Sequence, residues 1–248
     1  MNIEPFKNIV ATQERPKVVL LCEHASNNIP VPLIASPKDK PWLDTHWGID
    51  IGIPEITDKL TSSLGLPAVL ANFSRLVCDP NRPTDEPTFI KPDVEGHLLS
   101  FNQSISPEEI QRRIETYYEP YHNAVDAMIK NRLETDSDFL VLSLHSFTPE
   151  YMGEKRELEI GVLYDNYEKD AQFFFDAFDK RNFKVQYNQP YSGVDEMIFS
   201  AHKHGTANGL TYLELEFRQD LIDTPHKAAA FGQMLGDIIS DYTKQKFA

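Results

Sequence analysis

The segment Val18-Val19-Leu20-Leu21-Cys22-Glu23-His24-Ala25-Ser26-Asn27 decides the fold. An apolar run of strand length gives way to a carboxylate, an imidazole and then small polar residues. A run that is apolar on both faces suits a buried parallel strand, and α/β proteins gather ligands outside the carboxyl ends of such strands. The segment Phe139-Leu140-Val141-Leu142-Ser143-Leu144-His145-Ser146 repeats the form. Either histidine alone is accounted for as a satisfied polar residue at a strand end. The pair points to two imidazoles on one rim, and imidazole is the commonest protein ligand of metals, zinc included.

Working outward, residues 1–16 read as a polar lead-in and residues 26–40 as a surface loop near the strand's mouth. Apolar residues recur at helical spacing from Ile51 to Leu64, with Pro54 in the first turn and Gly65 at the end, leaving Asp50 in the approach loop. Leu66 to Phe73 is a second strand, which completes a βαβ unit and implies a parallel pair. Residues 83–105 carry Pro83, Pro87 and Pro92 without periodicity, and a loop this long is expected to be a functional cover. Ser106-Pro107-Glu108-Glu109 opens a helix to about Leu133, kinked near Pro120. Ile160 to Tyr164 reads as a short strand, Glu168 to Arg181 as a helix and Phe183 to Tyr187 as an edge strand. Val194 to His204 reads as a helix, Leu210 to Phe217 as the last strand, and Asp223-Thr224-Pro225 opens a helix to about Lys246. This alternation predicts one doubly wound α/β domain over residues 1–248, a mixed, mostly parallel sheet with helices on both faces.

Of the 248 residues 41% are hydrophobic and 25% charged, as in ordinary globular proteins. The net charge of −14 argues against nucleic acid or an anionic membrane surface as partner, and makes any anion site depend on locally concentrated arginine. Cys22 and Cys78 lie in apolar runs and read as buried thiols of a reducing compartment. No apolar run has the length of a membrane span, and Met1-Asn2-Ile3-Glu4-Pro5 has no basic or apolar signal region. A cytoplasmic protein is expected.

Ser74-Arg75-Leu76-Val77-Cys78-Asp79-Pro80-Asn81-Arg82-Pro83 follows a strand end and concentrates two guanidinium groups and an amide. Arginine forks bind carboxylates bidentately, so the stretch reads either as an anion site or as structural salt bridges, Arg75 to Asp79 foremost. Glu214 and Glu216 alternate onto one face of an otherwise apolar strand, and an unpaired buried carboxylate is costly. His122 follows three tyrosines on the kinked helix and reads as a ligand-orienting, substrate-bonding or structural residue. His97, His202 and His226 read as surface residues, and His204 stays an open candidate.

Glu23-His24-Ala25-Ser26-Asn27, His46…Asp50, Ser74-Arg75…Asp79-Pro80-Asn81-Arg82, Pro120-Tyr121-His122, Leu144-His145-Ser146 and Glu216-Phe217-Arg218-Gln219-Asp220-Leu221 follow one another in a familiar order. In that order the chain resembles the N-formylglutamate amidohydrolase family over nearly its whole length. That family is similar in fold to the zinc carboxypeptidases and aspartoacylases, a phosphorylase/hydrolase-like architecture. The resemblance implies a zinc hydrolase that cleaves the amide bond of a small anionic substrate, an N-acyl, N-formyl-like acidic amino acid. It also implies Asn81, Arg82 and His122 on the substrate, Arg75 near the oxyanion and Glu216 as general base, with Glu214 and Glu23 next in line for that role. The H-x-x-E ligand pair of the carboxypeptidases is absent, because Asn27 stands three after His24. Asp50 is therefore expected to join His24 and His145 as third ligand, with His46 or Glu23 as alternatives and helix capping as its other reading. Glu216 has its own alternative, an ion pair with Arg218. The missing carboxylate keeps open a binding protein without hydrolysis, and a carboxypeptidase-like peptidase differs only in substrate.

Overall fold

The computed structural model describes residues 4–193 and 198–247. The chain begins with strands β1 (Phe6–Ile9) and β2 (Val18–Cys22), helices α1 (Lys40–Leu43) and α2 (Ile53–Leu64), and strand β3 (Ala68–Ala71). A hairpin β4 (Asp93–Val94)–β5 (His97–Leu98) precedes helices α3 (Pro107–Arg113) and α4 (Glu119–Leu133) and the long strand β6 (Leu140–Phe147). A second hairpin, β7 (Glu150–Tyr151)–β8 (Glu154–Lys155), leads to β9 (Ile160–Leu163), α5 (Glu168–Asp179) and β10 (Val185–Tyr187). Helix α6 (Phe199–Asn208), strand β11 (Thr211–Arg218) and helix α7 (Pro225–Lys246) complete the chain.

Seven strands form one sheet in the order β1-β3-β2-β6-β11-β9-β10. β3, β2, β6 and β11 are parallel neighbours; β9 and β10 are parallel to each other, while β9 is antiparallel to β11 and β1 to β3. The mixed, mostly parallel α/β sheet expected from the alternation of elements is the one observed. The five residues of β2 are fully buried because both faces are covered. Val18, Leu20 and Cys22 pack with Ile56 and Leu60 of α2, Phe174 of α5 and Leu235 of α7, whereas Val19 and Leu21 pack with Tyr121, Val125 and Ile129 of α4. Each such side chain is worth about 1.5–3 kcal/mol when fully buried, so neither face tolerates a polar residue without a compensating partner. After β2 the chain crosses to β3 on one side, and after β6 it continues on the other side of the sheet. The crevice between β2 and β6 is thus a topological switch point, where such sheets hold their ligands.

The structure differs from the sequence-based reading at several elements, each for a local reason. The lead-in contains β1, whose residues pair with the β3 edge by backbone hydrogen bonds, an interaction that leaves little side-chain signal. The kink before α4 is a π-helical turn at Ile114–Tyr118. It widens the helix where the ring of Pro120 would meet the Thr116 carbonyl, and it carries Tyr117 and Tyr118 inward. The cover over residues 83–105 is ordered by the β4–β5 hairpin and a small core of Leu43, Leu76, Val94, Leu99 and Phe101. Of the helix expected over 194–204, residues 194–197 lie outside the described residues, and the observed helix runs on to Asn208. It passes through Gly205, where a Cβ would stand 2.3 Å from the Tyr212 ring, so glycine permits the close approach to β11. Both cysteines are free and buried, and burial raises both thiols. Among the described residues, no helix is long and apolar enough to cross a membrane.

Candidate active site

Parallel register brings the polar residues of three strands to one face. Leu21 stands opposite Ser143, Glu214 opposite Ser143, and Glu216 opposite His145. Glu23, one residue past β2, therefore reaches His145, its Oε2 lying 3.1 Å from Nε2. The rings of His24 and His145 meet edge to face with centroids 4.7 Å apart. In each ring Nε2 faces a buried carboxylate: His24 is 2.7 Å from Asp79 Oδ1, and His145 faces Glu23, with Ser143 Oγ at 3.0 Å. Both Nδ1 atoms turn toward Asp50, whose Oδ2 is 3.5 Å from His24 and 2.9 Å from His145.

Asp50 is held there by its backbone. Its N–H donates to the His24 carbonyl at 3.0 Å, and its carboxylate accepts the Ser146 N–H at 3.0 Å. It does not cap α2, whose N-cap is Gly52 at φ +83°, with no side-chain cap. A Cβ on Gly52 would lie 2.3 Å from the Ile222 carbonyl oxygen, so the turn that aims Asp50 requires glycine. Of the three candidates for a third ligand, Asp50 alone reaches both imidazoles through Nδ1. Glu23 sits on the far nitrogen of His145, and His46 stacks on Trp47 with centroids 4.7 Å apart.

The segment after β3 carries both readings made of it. Arg75 donates to Asp79 Oδ2 through Nε at 3.1 Å and Nη2 at 2.7 Å, leaving Nη1 3.7 Å from Asp50 Oδ1. Arg82 is less engaged, its Nε 3.4 Å from Asp79 Oδ2. Asn81 donates to Glu214 at 3.2 Å and accepts the Ser200 N–H at 2.8 Å, so its amide holds the site together. Glu216 is 3% exposed with Oε2 unpartnered, while Arg218 turns away to Asp220 and Glu159, so the ion pair with Arg218 is absent. His122 is buried against His204 at 2.8 Å, which in turn meets Asp126 at 2.8 Å. It is not among the residues lining the cavity.

A cavity of about 580 Å³ opens over these groups, lined by His24, Asp50, Arg75, Asn81, Arg82, His145, Glu214 and Glu216, with a rim of Trp47, Lys91, Tyr151, Arg156 and Tyr191. Glu86 is the remaining acid of the wall. Rim residues carry little sequence signal, because they come from short loops and hairpins. Asp79 and Glu23 were legible only as neighbours of stronger motifs; the strand register is what assigns each a histidine.

Burial splits the protonation of the carboxylates. It pushes Glu214 up to about 7, with Glu23 adding to the rise against the pull of His145, and it holds Glu216 well above the usual range, reinforced by Glu214 and Asp50. For Glu23 burial is outweighed by hydrogen bonds from His145 and Ser143, which bring it to about 2. Asp79 stays well below the ordinary range because Arg75 and His24 overcome its burial. His145 is raised well above normal: burial opposes, but Glu214, Asp50 and Glu23 surround it with negative charge.

This donor set fits a divalent cation. One nitrogen and two carboxylate oxygens facing the cavity, His24 Nδ1, Asp50 Oδ1 and Glu216 Oε2, are buried without a hydrogen-bond partner. The ligand atoms of His24, Asp50 and His145 lie within 4.8 Å of one another, as do those of His145, Glu214 and Glu216. Five buried carboxylates, Glu23, Asp50, Asp79, Glu214 and Glu216, share two arginines and two imidazoles. A cation held by His24, His145 and Asp50 would relieve that surplus, with the contacts to Asp79 and Glu23 orienting the two rings.

The same architecture recurs in known structures. A gene product of Agrobacterium tumefaciens superposes with a TM-score of 0.89 at 28% identity, over 99% of this chain and 97% of that one. The N-formylglutamate amidohydrolase of Ralstonia eutropha JMP134 shares the fold with a TM-score of 0.78, over 98% of each chain, at 18% identity. Among curated proteins none matches. Residues 16–223 match the family model of N-formylglutamate amidohydrolase, and the match takes in both histidine strands, the Ser74–Pro83 segment and Glu216; the chain belongs to the N-formylglutamate amidohydrolase family.

Proposed function

We propose that the chain is a single-domain, zinc-dependent amidohydrolase of the cytoplasm that cleaves the amide bond of an N-acyl, N-formyl-like acidic amino acid. The observation that carries this reading is the pair of imidazoles whose Nδ1 atoms turn to the Asp50 carboxylate in the wall of a cavity that also presents Arg75 and Arg82. His24, His145 and Asp50 would hold the metal, a two-His, one-carboxylate set typical of catalytic zinc. When bound there, zinc supplies Lewis acidity toward the acyl carbonyl and toward water.

The remaining chemistry falls to side chains of this chain. Glu216 accepts the proton of the attacking water at Oε2 and returns it to the departing amine. Burial favours its protonated form, which suits the second half of that cycle, and a cation beside it favours the ionised form needed for the first. Glu214 stays a structural neighbour tied to Asn81. Arg82, half-buried and weakly paired, receives the substrate carboxylate together with Asn81, whose amide also donates to Glu214. Arg75 faces the carbonyl oxygen with the Nη1 that Asp79 leaves free.

Elemental analysis of purified protein, with hydrolysis of N-formyl, N-acetyl and N-succinyl amino acids, tests the reading. About one zinc per chain and turnover of an N-acyl acidic amino acid are expected. His24→Ala and His145→Ala should each lose the metal, and stoichiometric zinc in both variants would overturn the site.

A further inference from the structure

The rim of the cavity holds a guanidinium for which the reaction has no use. Arg156 follows strand β8 and lines the cavity. Its guanidinium lies 4.9 Å over the Tyr151 ring and 5.6 Å over the Phe147 ring, and Nη1 donates to the Thr148 carbonyl at 3.3 Å. The other two arginines of the wall, Arg75 and Arg82, both meet Asp79. Arg156 meets no carboxylate among the described residues, in a chain where 38 acidic residues outnumber 24 basic ones.

The group is held in place from several sides. The hairpin turns through Met152 at φ +52° and Gly153 at φ +82°, and the Arg156 N–H donates to the Pro149 carbonyl at 2.8 Å. Tyr151 faces Trp47 with centroids 6.5 Å apart, and the Trp47 indole N–H donates to Glu95 at 2.9 Å. Lys91 lies 5.2 Å over the Trp47 ring of this aromatic cluster. The cations of the cavity wall thus come from two parts of the chain: Arg75, Arg82 and Lys91 from the segments after β3, and Arg156 from the end of the β7–β8 hairpin. Arg156 lines the same cavity as Tyr191, Arg75 and Glu216. A rigid, aromatic-backed guanidinium with free donors is suited to a carboxylate.

We propose that Arg156 is the specificity-determining residue that receives a second carboxylate of the substrate, the first being at Arg82. The inference rests on the proposed hydrolysis of an N-acyl acidic amino acid and deepens it by assigning Arg156 as the group that reads the side-chain carboxylate at the rim. A neutral side chain would leave Arg156 desolvated and unpaired.

The test compares kcat/KM for N-formylglutamate and N-formylglutamine in the wild type and in Arg156→Met, which keeps an apolar stem against Tyr151 and Phe147. The wild type should prefer the glutamate substrate by roughly ten- to a hundredfold, the scale of one charge-assisted hydrogen bond. Arg156→Met should erase that preference through KM for N-formylglutamate, and Arg156→Lys should restore part of it. A preference that survives in Arg156→Met, or is absent in the wild type, overturns the assignment while leaving the hydrolase reading intact. If the wild type hydrolyses neither compound, nor their N-acetyl and N-succinyl analogues, the hydrolase reading fails, and calorimetric titration of glutarate against butyrate decides for Arg156. Glutarate must bind more tightly to the wild type than to Arg156→Met, and equal affinities overturn the subsite.

Discussion

Asp79→Asn tests the carboxylate clamp on His24 with almost no change of shape. Asp79 Oδ1 accepts from His24 Nε2 at 2.7 Å and from the Asn81 backbone N–H at 2.9 Å. Oδ2 accepts from Arg75 at 3.1 and 2.7 Å, with Arg82 Nε at 3.4 Å. All these partners are donors, and an amide offers one accepting oxygen in place of two. If the amide oxygen faces Arg75, the NH₂ confronts His24 and Asn81; if it is flipped, the NH₂ confronts Arg75. In the first case His24 must present a bare Nε2, which moves its proton to Nδ1, the atom turned to Asp50. A metal then has to displace that proton, and loss of such an orienting partner costs about ten- to a hundredfold in metal affinity. In the second case the buried donors of Arg75 lose their acceptor, a loss of about 1.5–3 kcal/mol in stability. Competitive zinc titration against a chelator, with thermal unfolding of the metal-free protein, distinguishes the two. Unchanged zinc affinity together with an unchanged melting temperature would refute the clamp.

Further outcomes follow from the same geometry. Glu216→Gln should keep its zinc and fold while turnover falls by roughly a hundredfold to ten-thousandfold; a stable, fully active variant would shift the base to Glu214 or Glu23. Arg82→Ala should raise KM with little change in kcat, and the reverse split would move Arg82 to the oxyanion. Arg113 is fully buried and donates to Val77 O, Asn102 Oδ1, Phe101 O and Glu109, so Arg113→Ala should destabilise by at least about 1–3 kcal/mol in a denaturant titration by stranding three buried acceptors. Glu109 is held at about 2, chiefly by Arg112 and then Arg113 against its burial. Its folded pKa is depressed, so its stabilisation is complete above the ordinary carboxylate value and is lost as pH falls toward 2. Glu109→Gln should flatten that part of the acid-unfolding profile, and an unaltered profile would show the pair contributes nothing.

What could be read in the sequence was whatever a residue does along its own strand. The apolar run Val18–Cys22 announces a strand covered on both faces because every one of its side chains must be buried, and burial is a property of composition. The same holds for Leu140–Phe147 and for the pairing of Glu214 with Glu216 on one face, which alternation alone requires. Asp50 was accessible for a similar reason, since Pro54 leaves it just before a helix. What strands do to one another is a different kind of information. Nothing in Glu23 says that it will clamp His145 until Leu21 is known to stand opposite Ser143. His122 stayed open in the sequence because a histidine after three tyrosines looks alike whether the helix turns it to a cavity or, as here, to His204. The rim was hidden most completely: Trp47, Lys91 and Arg156 come from three separate segments, and only the close approach of the folded chain aligns their rings and cations. The two histidines and their carboxylate partners are therefore written largely into strand ends, whereas the rim of the cavity is written into loops and hairpins, whose positions depend on the whole fold.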